Sequence, residues 1–219
     1  MSNNSTRFIF IRHGETDWNR EHRFQGQIDV PLNATGHEQA RRLGQRLADD
    51  PADVLLASDL ERAQQTAQPL ARAWGRQVLA EPGVREQAFG VLEGLDFPTI
   101  QREHPELLLQ WREHRADYEL PGGGESQRRF HARVLATVQR LAAEHAGATV
   151  AVVTHGGVLD MLWRSAHAQP LDGPRRCDIP NTGINRLHWR TGVLVIETWA
   201  DDAHLEGLPP QPLARIARA

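Results

Sequence analysis

Phe8-Ile9-Phe10-Ile11-Arg12-His13-Gly14-Glu15-Thr16 decides the reading of this chain. The apolar run reads as a buried strand over about residues 7–11. An arginine, a histidine and a glycine at the carboxyl mouth of a strand are the parts of a phosphate site with a built-in nucleophile. In open α/β sheets, ligands bind at that edge.

Outward from this stretch, strand and helix signals alternate. A polar loop over 20–34 leads to Thr35-Gly36-His37-Glu38, a capping-box pattern that predicts a helix to about Ala48. Residues 52–57 read as a strand. Ser58-Asp59-Leu60-Glu61 reads as a second capping box, opening a helix to about Trp74. A short strand over 77–80 and a glycine-bearing loop over 81–97 follow. Helical patterns cover roughly 98–118 and stop at Pro121-Gly122-Gly123-Gly124, a turn. An amphipathic helix spans about 126–145. The strand over 149–154 ends at His155-Gly156-Gly157, before a helix near Val158. Residues 185–189 and 193–199, joined by Arg190-Thr191-Gly192, form a hairpin candidate. The tail, 201–219, reads as peripheral. This order predicts a single α/β domain over 1–219 with its core at about 6–200. Its architecture is a three-layer sandwich, a mainly parallel central sheet with helices on both faces.

Composition narrows the function. All 25 basic residues are arginine, so Schiff-base lysine and P-loop lysine mechanisms are excluded. A formal charge of −3 gives no reason to expect nucleic-acid or membrane partners. One cysteine, Cys177, and a polar start without a signal-peptide core point to a cytoplasmic protein. No metal-ligand spacing, GxGxxG or Walker A pattern is present, so neither a metal nor a cofactor is expected.

Four candidates share one topological address. His13 follows the first strand, Arg62 opens the helix after residues 52–57, Glu86 lies on the loop after 77–80, and His155 follows 149–154. If those strands are parallel, all four open on one edge of the sheet. A neutral imidazole is a competent nucleophile toward phosphorus when cations neutralise the non-bridging oxygens. Arg12 and Arg62 supply bidentate forks and His155 a further donor. Helix N-termini after Gly14 and Gly156 add backbone donors. Glu86 is the candidate acid, with burial or the phosphate's own charge to keep its proton on. For Arg62, an ion pair to Glu61 or Asp59 is the alternative.

At these residues the chain resembles the histidine phosphatase superfamily, the phosphoglycerate mutase-like family, over about residues 6–200. The resemblance is carried by Arg12-His13-Gly14-Glu15-Thr16-Asp17-Trp18-Asn19, Phe24-Gln25-Gly26, Ser58-Asp59-Leu60-Glu61-Arg62, Arg85-Glu86-Gln87-Ala88-Phe89-Gly90, Gly123-Gly124-Glu125-Ser126 and Thr154-His155-Gly156-Gly157. It implies that His13 is the phosphorylated nucleophile, that Arg12, Arg62 and His155 form the phosphate pocket, and that Glu86 is the proton donor. It implies further phosphate contacts from Asn19 and the backbone near Gly156, with Gln25 and Gly26 at the substrate mouth. The expected reaction is metal-independent hydrolysis of a small phosphorylated metabolite. A cofactor-dependent phosphoglycerate mutase is the alternative, and a non-catalytic phosphoryl-binding module the remote one. Against the mutase stand Arg112-Glu113 where the family's mutases carry paired arginines, the absence of lysine, a short segment over 116–124, and Gly156-Gly157 in place of Gly-Asn-Ser. The candidate lid, about 95–121, offers Phe97, Leu107, Trp111 and Tyr118, which at helical spacing read as core. Arg102, Arg112 and Arg115 read as solvated. The hairpin and the tail are the candidate surfaces for a homodimer, and the physiological substrate is left open.

Overall fold

Alternate residues of the apolar run face opposite ways, and both faces are covered. The computed structural model describes residues 5–113 and 115–211. Its strands are β1 (Thr6–Arg12), β2 (Val54–Ala57), β3 (Val78–Ala80), β4 (Thr149–Thr154), β5 (Ile184–Arg190) and β6 (Val193–Asp201). Its helices are α1 (Asp17–Arg20), α2 (Ala34–Arg46), α3 (Glu61–Trp74), α4 (Phe97–Glu103), α5 (Pro105–Arg112), α6 (Gln127–Glu144) and α7 (Gly156–Ala166). The strands form one sheet in the order β3-β2-β4-β1-β5-β6. β1 to β4 are mutually parallel, and the β5–β6 hairpin continues the sheet antiparallel to β1. The expected three-layer α/β architecture is the observed one.

Phe8, Phe10, Val150 and Val152 pack with Phe130, Val134 and Val138 of α6 and Leu159 and Leu162 of α7. Ile9, Ile11, Ala151 and Val153 pack with Leu43 of α2 and Ala63, Ala67 and Leu70 of α3 on the other face. Each Leu- or Phe-sized side chain so buried contributes about 1.5–3 kcal/mol. Coverage of both faces is why the parallel strands are continuous apolar runs rather than alternating ones. A third cluster joins Phe24, Leu92, Ile100, Leu108 and Leu120 with Phe97, Leu107, Trp111 and Tyr118. The aromatics of the 95–121 segment are therefore core, as their spacing suggests. Among the described residues no helix is long and apolar enough to cross a membrane.

Two expected caps are corrected. The N-cap of α2 is Asn33, not Thr35: its side chain accepts from the Gly36 N–H at 2.9 Å. Asn is at least as good a cap as Thr and stands two residues earlier. At α3 the Ser58 hydroxyl does not cap the helix. The Glu61 N–H donates instead to Asp29 Oδ1 at 2.6 Å, a partner from the 20–34 loop that local pattern cannot reveal. The 98–118 stretch divides into α4 and α5 at His104, because Pro105 cannot continue a helix. The tail is tied back at several points, among them His204 to the Thr182 hydroxyl at 3.0 Å. Arg42 Nη1 donates to the Glu206 carbonyl at 2.8 Å, and the Gln211 side chain bonds the Asn181 backbone. Residues 212–219 lie outside the described residues.

Candidate active site

Because β1 to β4 run parallel, the residues that follow them meet at one edge. One cavity there is lined by Arg12, His13, Asn19, Gln25, Gly26, Arg62, Glu86 and Gly156, together with Trp18, Phe89, Arg175 and Asn181. His155 lies beneath, fully buried, its ring centroid 5.2 Å from that of His13.

The tautomer of His13 follows from its partner. Nδ1 lies 2.7 Å from the Gly14 carbonyl, which can only accept, so Nδ1 carries the proton and Nε2 keeps its lone pair. Burial, reinforced by the Arg62 and Arg12 charges, holds the imidazole pKa well below its usual value. The ring is thus neutral at pH 7. Main-chain contacts fix it: its N–H donates to the Thr154 carbonyl at 2.8 Å, and Asn181 Nδ2 donates to its carbonyl at 2.9 Å. Gly14 passes so close to α2 that a Cβ would stand 2.7 Å from the Gly36 carbonyl oxygen.

The arginines are held by carbonyls. Arg12 Nη1 donates to Ile179 O at 2.7 Å. Arg62, with no exposed surface, donates from Nη1 to Ile28 O at 2.9 Å and from Nη2 to Gly26 O at 2.7 Å. The alternative ion pair for Arg62 is not formed, since Asp59 pairs with Arg85 and Glu61 accepts from Gln65. Burial lowers both pKa values to about 10, so both remain charged at pH 7. Arg12 Nε, Arg62 Nε and both ring nitrogens of His155 are buried without a hydrogen-bond partner. Such groups carry a desolvation cost that an anion among them would offset. Burial and the Arg62 charge hold the His155 pKa well below its usual value.

Glu86 is half-buried. Its Oε2 accepts from the Gly157 N–H at 3.0 Å and its Oε1 from the Gln87 N–H at 2.9 Å. Its loop hangs from Arg133 and Glu125. Arg133 donates to the carbonyls of Gly83, Arg85 and Glu86 at 3.0–3.1 Å and to both Glu125 oxygens. Glu125 accepts from the Ala88 N–H at 3.0 Å. Burial opposes its charge, yet these donors hold the Glu125 carboxyl below its usual range. Glu125 of the Gly-Gly-Glu-Ser stretch therefore positions the loop that carries Glu86.

The other expected residues occupy distinct places. Asn19 closes the cap of α1, its Oδ1 accepting from the Thr16 N–H at 3.1 Å. Gln25 is buried, its Oε1 without a partner. Gly26 adopts φ +50° and offers its carbonyl to Arg62. Gly156 begins α7, whose N-cap makes no side-chain hydrogen bond. α1, a single capped turn, adds little dipole, so the expected donor terminus is that of α7 alone. Reading the residues alone missed Arg175, Asn181, Trp18, Phe89, His22, Arg23 and Phe24 as cavity residues. Trp18 and Phe89 stood inside quoted motifs, whereas Arg175 and Asn181 lie in a loop without pattern. Among the described residues no group of three or more His, Cys, Asp or Glu side chains is placed to hold a metal ion.

The family model that describes the histidine phosphatase superfamily, branch 1, matches residues 8–202. The chain belongs to that superfamily. It is similar to phosphoglycerate mutase-like protein 4 of Arabidopsis thaliana, 36% identical over 90% of this chain and 86% of that one. It is likewise similar to the metal-independent phosphoserine phosphatase of that plant, 34% identical over 93% and 84%. Among solved structures, Bacillus stearothermophilus YhfR superposes with a TM-score of 0.85 at 30% identity, covering 92% of this chain and all of that one. The superfamily thus joins phosphatase and mutase-like names on one fold.

Proposed function

We propose that this chain is a phosphomonoesterase that hydrolyses a small phosphorylated metabolite through a phosphohistidine, without a metal. The observation that carries the reading is the pinned His13. A neutral imidazole with a free Nε2 faces a cavity flanked by two charged guanidiniums and partnerless buried nitrogens. That is the environment an attack on a phosphate dianion requires.

In the proposed reaction the His13 Nε2 lone pair forms a bond to phosphorus as the ester P–O bond breaks. The leaving oxygen takes the Glu86 proton and departs as the alcohol. Arg12, Arg62, His155 and the α7 terminus take up the charge on the non-bridging oxygens. Water then attacks the phosphoryl group and gives its proton to Glu86. The N–P bond breaks, inorganic phosphate leaves, and both residues return to their starting forms. The phosphatase relative supports hydrolysis over transfer. So does the surface position of Arg112 and Glu113, at the stretch where a mutase would grip its second group.

The test is phosphate release from a panel of phosphomonoesters with EDTA present, for wild type and His13→Ala. The expected result is turnover that survives EDTA, vanishes in the variant, and leaves an acid-labile phosphoprotein on rapid quench. Turnover that EDTA abolishes, or that His13→Ala retains, refutes the proposal.

A further inference from the structure

Two buried guanidiniums match the charge of one phosphoryl dianion. The cavity holds two more: Arg23, which is matched by Glu21 and donates to the Gly94 carbonyl, and a second that this balance leaves unused. Arg175 lines the same cavity. A Cβ built on Gly156 would lie 3.6 Å from Arg12 Nε, 3.6 Å from Arg175 Nη1 and 3.7 Å from Nη2, so the two arginines face each other across that glycine. Their mutual repulsion is one reason, after burial, for the low Arg12 pKa.

Arg175 is not spent on an internal partner. Its Nε is buried without a hydrogen bond, 4.0 Å from Asp160 Oδ1. Asp160 is shared, since Arg164 Nε donates to its Oδ2 at 3.1 Å. Among the described residues neither terminal nitrogen of Arg175 meets an acceptor. The loop that carries it is built to hold it there. Arg164, itself buried, donates to the carbonyls of Pro170, Asp172, Gly173 and Pro174, the residues leading into Arg175. Fixing a like charge beside Arg12 costs free energy, and a ligand anion would offset it.

The position of Arg175 relative to Glu86 gives the direction. Arg175, Glu86 and Phe89 also line a second hollow that continues from the first, with Gln87, Gln127, Met161 and the Arg164–Asp160 ion pair on its walls. The proton donor stands where the two meet, so the alcohol part of a substrate would extend from Glu86 into the second hollow and past Arg175.

We propose that Arg175 selects substrates whose alcohol part carries a second anionic group, a carboxylate or a second phosphate, close to the ester. This rests on the phosphatase reading of the site and adds to it the residue that sets specificity. Arg102, Arg112 and Arg115 do not compete for the role, because all three are exposed and none lines either hollow.

The test compares kcat/KM for matched pairs that differ only in the second anion. These are 3-phosphoglycerate against glycerol 3-phosphate, and fructose 1,6-bisphosphate against fructose 6-phosphate, each with wild type, Arg175→Ala and Arg175→Lys. The readout is the ratio within a pair, which a general loss of folding or chemistry leaves in place. Wild type should prefer the anionic member of one pair. Arg175→Ala should shrink that ratio by about ten- to a hundredfold, the worth of a charge-assisted contact, and Arg175→Lys should keep part of it. The pair that responds tells carboxylate from phosphate. A wild type without preference in either pair, or a ratio that survives Arg175→Ala, overturns the proposal. If wild type releases no phosphate from any ester, the phosphatase reading has failed instead. Calorimetric titration of the same four compounds then decides: a binding preference lost in Arg175→Ala upholds the assignment, and its absence overturns it.

Discussion

Gly157→Ala tests the proposed proton donor, Glu86, while leaving its carboxyl group in the sequence. Gly157 sits in the first turn of α7 with a negative φ, so alanine is tolerated by the backbone and favoured by helix propensity. The obstacle lies outside the helix. The new Cβ would stand 2.1 Å from Glu86 Oε1 and 3.0 Å from Phe130 Cε1. The first contact is more than 1 Å short of ordinary van der Waals separation, so the carboxylate must retreat and its bond to the Gly157 N–H is lost. Overpacking against Phe130 costs about 1–3 kcal/mol, which leaves most domains of this size folded. Misplacing a catalytic group by about 1 Å costs roughly a hundredfold in rate. Under the proposed role of Glu86 as the acid, the loss must depend on the leaving group. The assay is kcat for an alkyl phosphate and for p-nitrophenyl phosphate, whose phenolate departs without help. The alkyl ester should lose about a hundredfold and the aryl ester far less. Equal losses on both esters, or full activity on the alkyl ester, would refute the assignment of Glu86 as the acid.

Three further outcomes are expected. His13 and His155 have folded-state pKa values well below the unfolded one, so below about pH 6.5 the unfolded chain binds more protons and stability falls as pH falls. Each group contributes at most about 1.4 kcal/mol per pH unit. Urea denaturation between pH 7 and pH 5 should show a steeper loss for wild type than for His155→Gln, and equal slopes would contradict the buried neutral imidazole. Glu125→Gln should leave the Arg133 charge under the Glu86 loop uncompensated, costing about 1–2 kcal/mol after allowance for partial exposure. It should also lower kcat on alkyl esters about tenfold with little change in KM, whereas an unchanged kcat would deny the loop's dependence on this pair. Gln211→Ala removes both contacts to the Asn181 backbone, at 2.6 and 3.3 Å. A loss of about 1 kcal/mol in thermal denaturation and a few-fold rise in KM are expected, and wild-type values on both measures would detach the tail from the site.

The strand-end geometry was legible because it is local twice over. His13 and His155 stand directly after runs apolar enough to be buried on both faces, and parallel strands bring their carboxyl ends to one edge whatever the loops do. The caps of α2 and α3 were misread because a local pattern competes with partners it cannot see: Asn33 two residues upstream, and Asp29 from a distant loop. Asn181 and Gln211 escaped for the same reason, since their meaning lies in contacts to His13 and to each other across the chain.

The arginines show what sequence withholds and structure supplies. With 25 of them, composition cannot separate a ligand-binding guanidinium from a solvated one. The partner does. Arg41 with Glu38, Arg102 with Glu103 and Arg128 with Asp117 are exposed and matched to carboxylates, so each pair is close to neutral from outside. Arg12 and Arg62 are held by carbonyl oxygens, which fix the fork without cancelling its charge. A carbonyl-held guanidinium keeps its full attraction for an anion and has already lost its side-chain entropy, so binding need not supply that cost again. Arg175 keeps its charge by another route, since its loop rather than its guanidinium is held. Its loop is anchored through carbonyls by Arg164, its carboxylate neighbour is shared, and its terminal nitrogens are left for a ligand.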